Sequence, residues 1–467
     1  LVLDLGIAKR AVYITYQHML RLLIMFAMFF LSQAARSWEA HYMLTYAALR
    51  DWPLVSQEAN IISESLETFV NAQKDALVQL LKEQEAWAKQ NISNYPSLPK
   101  SLVFEASSAP GPALTKNFLM ALRINPDLSY ANFLLYPPGV AHRLKNNFTP
   151  QEFLQAPVSS LVSLRAAWPV LEKIMPGQRV SALEILVAAS EEPDHGLDLG
   201  LWQDNRTWYG DLMGFGTQPF GNPVLSYSSQ APFHMGFFHE APVLYWAAGW
   251  LRRCYPEYRI NTFLSLARFA FAHGHPYWGY RFLGWALHYI QDLTQPYHAT
   301  LAPGVSWPKL IWLNFLEIIG IKGPAENLRQ LLTNRHLALE NYQFESIRAI
   351  LSNKNLGVAL SDLIQDQQYP AFDNSYSRQI IALEAHGRAS KVDLLLNQAM
   401  PSLYVADPSY KFSGTDPSIN LREISFLNER AAATKLEQEF LVLMRAFGSH
   451  TRNTVRTLLP KYQSPNY

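Results

Sequence analysis

Two imidazoles and a carboxylate fall within eleven residues in the stretch GWALHYIQDLTQPYH, positions 284–298: His288, Asp292 and His298. His288 and Asp292 are four apart, so on a helix they share a face, one turn from each other. Pro296 stops that helix, and His298 returns beside it on the chain that turns away. Imidazoles and a carboxylate aimed at one point form a zinc donor set. The spacing recurs downstream, where His336 and Glu340 are again four apart. Cys254 is the only cysteine, so no thiolate site and no intrachain disulfide framework exists, and a bound metal must be held by His, Asp and Glu.

Other candidates must complete such a site. His41 lies in the first turn of a helical pattern, WEAHYMLTYAALRDWP, that starts at Trp38. Asp194 follows Pro193 at the end of a helix, with His195 and Asp198 as alternatives to it. His234 and His239 sit in APFHMGFFHEAP, and His234 is preferred because it leads directly out of an irregular loop. Each residue alone is weak. A single His on a helix is more often a hydrogen-bonded structural residue than a ligand, and a His–Glu pair four apart is often a surface pair. Two such pairs with His298 between them raise the odds, although there are 13 His in all.

The elements that must position these residues read as helices. Residues 59–90 form a long amphipathic pattern, and residues 113–190 read as several helices with turns at Pro126, Pro137-Pro138 and Pro176-Gly177. Residues 200–233, rich in Gly, Pro, Asn and aromatics, read as a long irregular loop of the kind that usually carries function. Two to three helices follow between Ala241 and Ala286. Further helices are expected at about 309–319 and 325–352, and more from about 355 to 460 around a loop at 400–418. There is little period-two alternation and no internal repeat. The chain reads as all-α.

At 467 residues the chain can bury a large core. It is 49% hydrophobic and 13% aromatic, and its 16% of charged residues is low against a usual value of roughly 25%. The aromatics either fill an aromatic-rich core or partly face an apolar ligand or a membrane interface. A net charge of +1 leaves no electrostatic footprint for nucleic acid.

Near the start, Lys9, Arg10 and Arg21 precede an apolar run from Leu22 to Leu31, followed by Ser32, Ala34, Ala35 and Ser37. This is the pattern of a secretory signal peptide over residues 1–37, cut to leave Trp38 first, with a cut after Ala34 as the alternative. It implies a secreted or periplasmic protein. The run is short for a bilayer span of about 20 residues, although counted from Ala11 it could serve as an uncleaved anchor.

WEAHYML, the Pro193-Asp194 pair, HYIQDLTQPYH and HLALE together resemble the zinc-dependent bacterial phospholipases C and their relatives, the zinc single-strand nucleases. The central pattern H-Y-x-x-D-L-x-Q-P-x-H is present in full. The resemblance spans Trp38 to Glu340, anchored at a few points, and does not cover the tail. It implies an all-α catalytic domain over residues 38–355 with an insertion at about 50–185, and a helical extension over 356–467 packed on it. It implies three zinc ions. Asp194, His234, His288 and Asp292 would hold one, and His298, His336 and Glu340 a second. The amine and carbonyl of Trp38, with His41 and Asp292, would hold the third, so that Asp292 bridges. Asp194 would also act as a base toward the attacking water. The links from His41 to Asp194, from Asp194 to His234 and from His298 to His336 are longer here than in the family.

The activity implied is release of a phosphorylated head group from a glycerophospholipid such as phosphatidylcholine, at a membrane surface. The nucleases place His-x-x-x-Asp where this chain has His336-x-x-x-Glu340, and the near-neutral charge argues against a polyanionic substrate. A single-strand nuclease or nucleotidase, and a non-catalytic helical protein stabilised by zinc, are the alternatives. Trp278, Tyr280, Trp285, Tyr297, Trp307 and Trp312 flank the motifs and could line a choline pocket or touch lipid, with core packing as the alternative, preferred for Trp285.

Overall fold

The computed structural model describes residues 40–106, 111–128, 130, 132–137, 140, 170–348, 354–414, 416 and 418–459. Residues 1–37, read as a signal peptide, and Trp38 lie outside them. Helices dominate, as the sequence predicts. Those of eight residues or more are α1 (His41–Leu49), α2 (Leu66–Asn91), α3 (Pro112–Ala121), α4 (Ala182–Glu191), α5 (Pro256–Ala272), α6 (Pro276–Asp292) and α7 (Trp307–Ile318). They continue with α8 (Gly323–Arg348), α9 (Lys354–Ser361), α10 (Leu383–Ala399), α11 (Leu421–Asn428) and α12 (Arg430–Leu458).

Among the described residues of 50–185, two small antiparallel ladders accompany α2, α3 and the start of α4. Strand β1 (Ile61–Ile62) pairs with β4 (Arg179–Val180), and β2 (Phe133–Tyr136) pairs with β3 (Val170–Lys173). All four residues of β2 are buried, so no alternation betrays the strand in the sequence. These ladders contribute no residue to the metal-ligand groups described below.

Helix α6 is the axis of the molecule. Pro276 starts it, where a missing N–H is harmless, and every residue from Tyr277 to Asp292 is buried. It lies between α5 and α4 and also touches α12. A helix buried on every side can exist only inside a protein this large, and its polar residues must find partners there. Gly284 allows the tight crossing with α4: a Cβ there would meet Ala189 Cβ at 2.4 Å. Helix α4 begins with a capping box, Ser181 and Glu184, which fixes where it starts and so where its far end delivers the chain.

The tail is integral to the structure. Helix α12 packs on α1, α6, α9 and α10. Its Arg452, fully buried, is held by Asp366 and donates to the carbonyl of Ala48, at the end of α1. Among the described residues there are two large apolar clusters, one built on α5 and α6 with the C-terminal ends of α1 and α12, the other on α8, α10 and the remainder of α1 and α12. The helices that carry the metal-ligand candidates come from both clusters.

Candidate metal centre

Four positions converge on Asp292, at the end of α6. His288 lies one turn earlier on the same helix. Asp194 sits on the single-turn helix Glu192–His195 that follows α4. This turn is anchored by Glu192, which accepts hydrogen bonds from Arg281 and from Trp285 Nε1. His234 ends the short helix Ala231–His234, and His41 opens α1.

The distances are those of donors facing a common centre. Asp292 Oδ2 lies 2.8 Å from His234 Nδ1 and 3.3 Å from His288 Nε2. Its Oδ1 lies 3.3 Å from His41 Nε2 and 3.9 Å from His298 Nδ1. Asp194 Oδ1 lies 3.5 Å from His288 Nε2 and 3.8 Å from His234 Nδ1, while its Oδ2 lies 4.0 Å from His41 Nε2. A second group, His298, His336 and Glu340, adjoins the first, with His336 Nε2 2.8 Å from Glu340 Oε1. Three triads each bring their ligand atoms within 4.8 Å of one another: His41, Asp194 and His288; His234, His288 and Asp292; and His298, His336 and Glu340.

Each imidazole of the first group is oriented from behind. His41 Nδ1–H donates to Gln291 Oε1 at 2.8 Å, and His288 Nδ1–H donates to the Ser190 carbonyl at 2.8 Å. His234 turns its Nε2 to Asp198 Oδ2 at 3.4 Å. Asp198 is itself fixed by Arg259 and by the Tyr289 hydroxyl at 2.6 Å. The outer nitrogen is thus engaged in every case, and the inner one points at the carboxylates. This is how metal-binding histidines are held.

The donor set fits a metal ion. Asp292 Oδ1 and His336 Nε2 are buried and make no hydrogen bond of acceptable geometry. A buried polar atom in that condition is costly unless something else satisfies it. Zinc accepts this mixture of imidazole nitrogen and carboxylate oxygen, and two adjoining groups leave room for more than one ion.

The electrostatics point the same way. Burial raises the Asp292 carboxyl, but the charge of His288 and the close approach of the His234, His288 and His41 imidazoles outweigh it and hold it well below the usual range. Burial lowers the His41 and His234 imidazoles, yet the carboxylates around them push these up to about 9 and about 10. Burial, then the neighbouring His298, holds His336 well below its ordinary value. A cation replacing the protons would serve the first group, and a neutral His336 is ready to ligate.

Of the nine residues expected from the sequence, the structure brings together His41, Asp194, His234, His288, Asp292, His298, His336 and Glu340, and Trp38 lies outside the described residues. The alternatives are placed elsewhere. His239 Nε2 bonds the Arg378 carbonyl, and His195 pairs with Glu191. Asp198 stands behind His234 rather than beside Asp292. Of the flanking aromatics, Trp278 and Trp285 are fully buried, the latter as preferred, Tyr280 and Tyr297 nearly so, and Trp307 and Trp312 are exposed. The sequence reading missed Gln291, Ser190, Arg259 and Tyr289 as the outer layer. Gln291 and Tyr289 lay inside the motif itself. Comparison with known families gives no matching family model, and neither curated proteins nor solved structures match this chain.

Proposed function

We propose that this chain is an exported zinc-dependent phosphoric diester hydrolase of the phospholipase C type. It would hydrolyse glycerophospholipids such as phosphatidylcholine to diacylglycerol and a phosphorylated head group. The observation that carries this reading is the convergence of three imidazoles and two carboxylates, each imidazole oriented from behind, beside a second His–His–Glu group. The family resemblance of HYIQDLTQPYH and HLALE supports the choice of reaction, and the leader pattern supports export.

His41, Asp194, His234, His288 and Asp292 would hold metal on one side, and His298, His336 and Glu340 on the other. Zinc bound there supplies a lowered pKa for water and positive charge for a phosphate. The residues do the rest. By fixing where the metal sits, Asp292 and the oriented imidazoles would set where a phosphate binds. Asp194, with a side chain 21% exposed, reaches solvent from within the cluster. Its role in this reading is to accept a proton from water approaching phosphorus. Its carboxyl stays ionised: burial raises its pKa, but the charges of His288, His41 and His234 lower it further.

Incubation of the zinc-loaded protein with phosphatidylcholine and with single-stranded DNA tests the reading. Phosphocholine release that EDTA abolishes is expected. DNA cleavage alone would make it a nuclease, and bound zinc with no turnover of either would make the centre structural.

A further inference from the structure

Helix α7, WPKLIWLNFLEI, breaks the rule for a surface helix, which buries apolar residues and turns polar ones outward. Its one buried residue is polar, Asn314. Trp312, Phe315 and Ile319 follow one another at three- and four-residue spacing, so they form one stripe. They are 57%, 47% and 55% exposed. The rings of Trp312 and Phe315 stack on each other in solvent, centroids 5.6 Å apart. Trp307 and Ile321 extend the exposed surface at both ends, and the neighbouring helix Pro242–Ala247 exposes Trp246. A contiguous apolar surface of this kind marks an interaction site.

Its charges select the partner. Between residues 307 and 322 the only carboxylate is Glu317, and it is turned inward, accepting two hydrogen bonds from Arg329. Lys309 and Lys322 are exposed, one near each end. Aromatic and aliphatic side chains flanked by lysines suit the boundary between lipid tails and anionic head groups. At 12 residues the helix is roughly 18 Å long, too short to cross a bilayer and suited to lying in its surface.

The position of the helix relates it to the metal centre. Leu310, Leu313, Asn314 and Glu317, on its inner side, wall a narrow, largely apolar cavity of about 60 Å³. That cavity shares Leu301, Arg329 and Leu332 with another of about 50 Å³, whose wall includes His336. The exposed stripe therefore lies on the side of the molecule that leads to the second ligand group. We propose that the outward face of α7, centred on Trp312, Phe315 and Ile319, docks this protein on the surface of a phospholipid bilayer. The substrate it would reach there rests on the phospholipase reading, but the docking itself does not.

The test is co-sedimentation of the full zinc-loaded chain with vesicles of phosphatidylcholine and phosphatidylglycerol. The Trp312→Ser/Phe315→Ser/Ile319→Ser variant should lose at least about tenfold in vesicle binding, since three large apolar contacts are removed. Its zinc content and its turnover of a soluble, monomeric short-chain phosphatidylcholine should match wild type within about twofold, which shows that it is folded. Lys309→Gln/Lys322→Gln should weaken binding only to vesicles that contain phosphatidylglycerol. Equal sedimentation of wild type and triple variant would overturn the proposal. So would a wild-type dimer that dissociates in the triple variant with no vesicle binding by either, because the face would then belong to a second copy. Vesicle binding that the triple variant loses, with no hydrolysis of any phospholipid, would uphold docking and remove the phospholipase reading alone.

Discussion

Asp292 places Oδ2 2.8 Å from His234 Nδ1 and turns Oδ1 toward His41 Nε2, 3.3 Å away. One buried carboxylate therefore faces two sets of imidazoles, and His298 adds a third approach at 3.9 Å. Asp292→Asn keeps the shape and removes the charge. We expect it to lose zinc and to lower turnover by more than about 100-fold, beyond the range seen when only an outer-layer partner is removed. Steady-state kinetics with zinc resupplied would check this; near-normal turnover would count against a bridging Asp292.

His234 and His239 separate ligand from bystander. His234 is buried against Asp292, whereas His239 bonds a backbone carbonyl of Arg378. His234→Ala should lose zinc and activity, while His239→Ala should retain both and change stability by no more than about 1 kcal/mol. Zinc titration of the two variants decides, and an inert His234→Ala with a dead His239→Ala would reverse the assignment.

Metal-free protein should be most stable on the acidic side of neutrality. His41 and His234 are pushed up to about 9 and about 10, above an unfolded value of about 6.5. Their contribution is therefore full below about 6.5 and is lost as the pH rises through about 9 to 10. Asp292 acts with the opposite sign, since its folded value is depressed. Its contribution is present above its unfolded value and lost as the pH falls through the folded one. Zinc must displace the imidazole protons, so its affinity should rise with pH over the same alkaline window. Thermal melts of chelator-treated protein from pH 5 to 10 should show Tm declining on the alkaline side; a flat profile would contradict the charge arrangement.

Asp198 supports the centre without touching it. It receives Arg259 and the Tyr289 hydroxyl and backs His234. Asp198→Asn should weaken zinc binding by about 10- to 100-fold. It should also cost about 3–5 kcal/mol of stability, because Arg259 stays buried with its ionic partner gone. Competition with a chromophoric chelator and urea unfolding measure the two effects separately.

What could be seen in the sequence was local. His288 with Asp292, and His336 with Glu340, are four apart on helices, so their shared faces follow from helical geometry alone. The choice of His234 over His239, and of Asp194 over Asp198, depended on how distant elements cross. Contact of Gly284 with Ala189 sets α4 against α6 and brings the Ser190 carbonyl to His288. A backbone oxygen supplied by a neighbouring helix leaves no mark in composition or spacing. Strand β2 was missed because FLLY is buried on both faces and carries no alternation. Core packing was expected for Trp285, inside the motif helix, and Trp285 is fully buried, whereas the exposure of Trp312 on α7 had no mark in the sequence.

Elemental analysis of the purified protein, compared with Asp292→Asn, tests the central claim most directly. At least two zinc ions per wild-type chain, removed by EDTA together with activity and lost in Asp292→Asn, are expected from the two adjoining ligand groups. A wild-type protein that binds no zinc at neutral pH, even when zinc is supplied, would contradict the account.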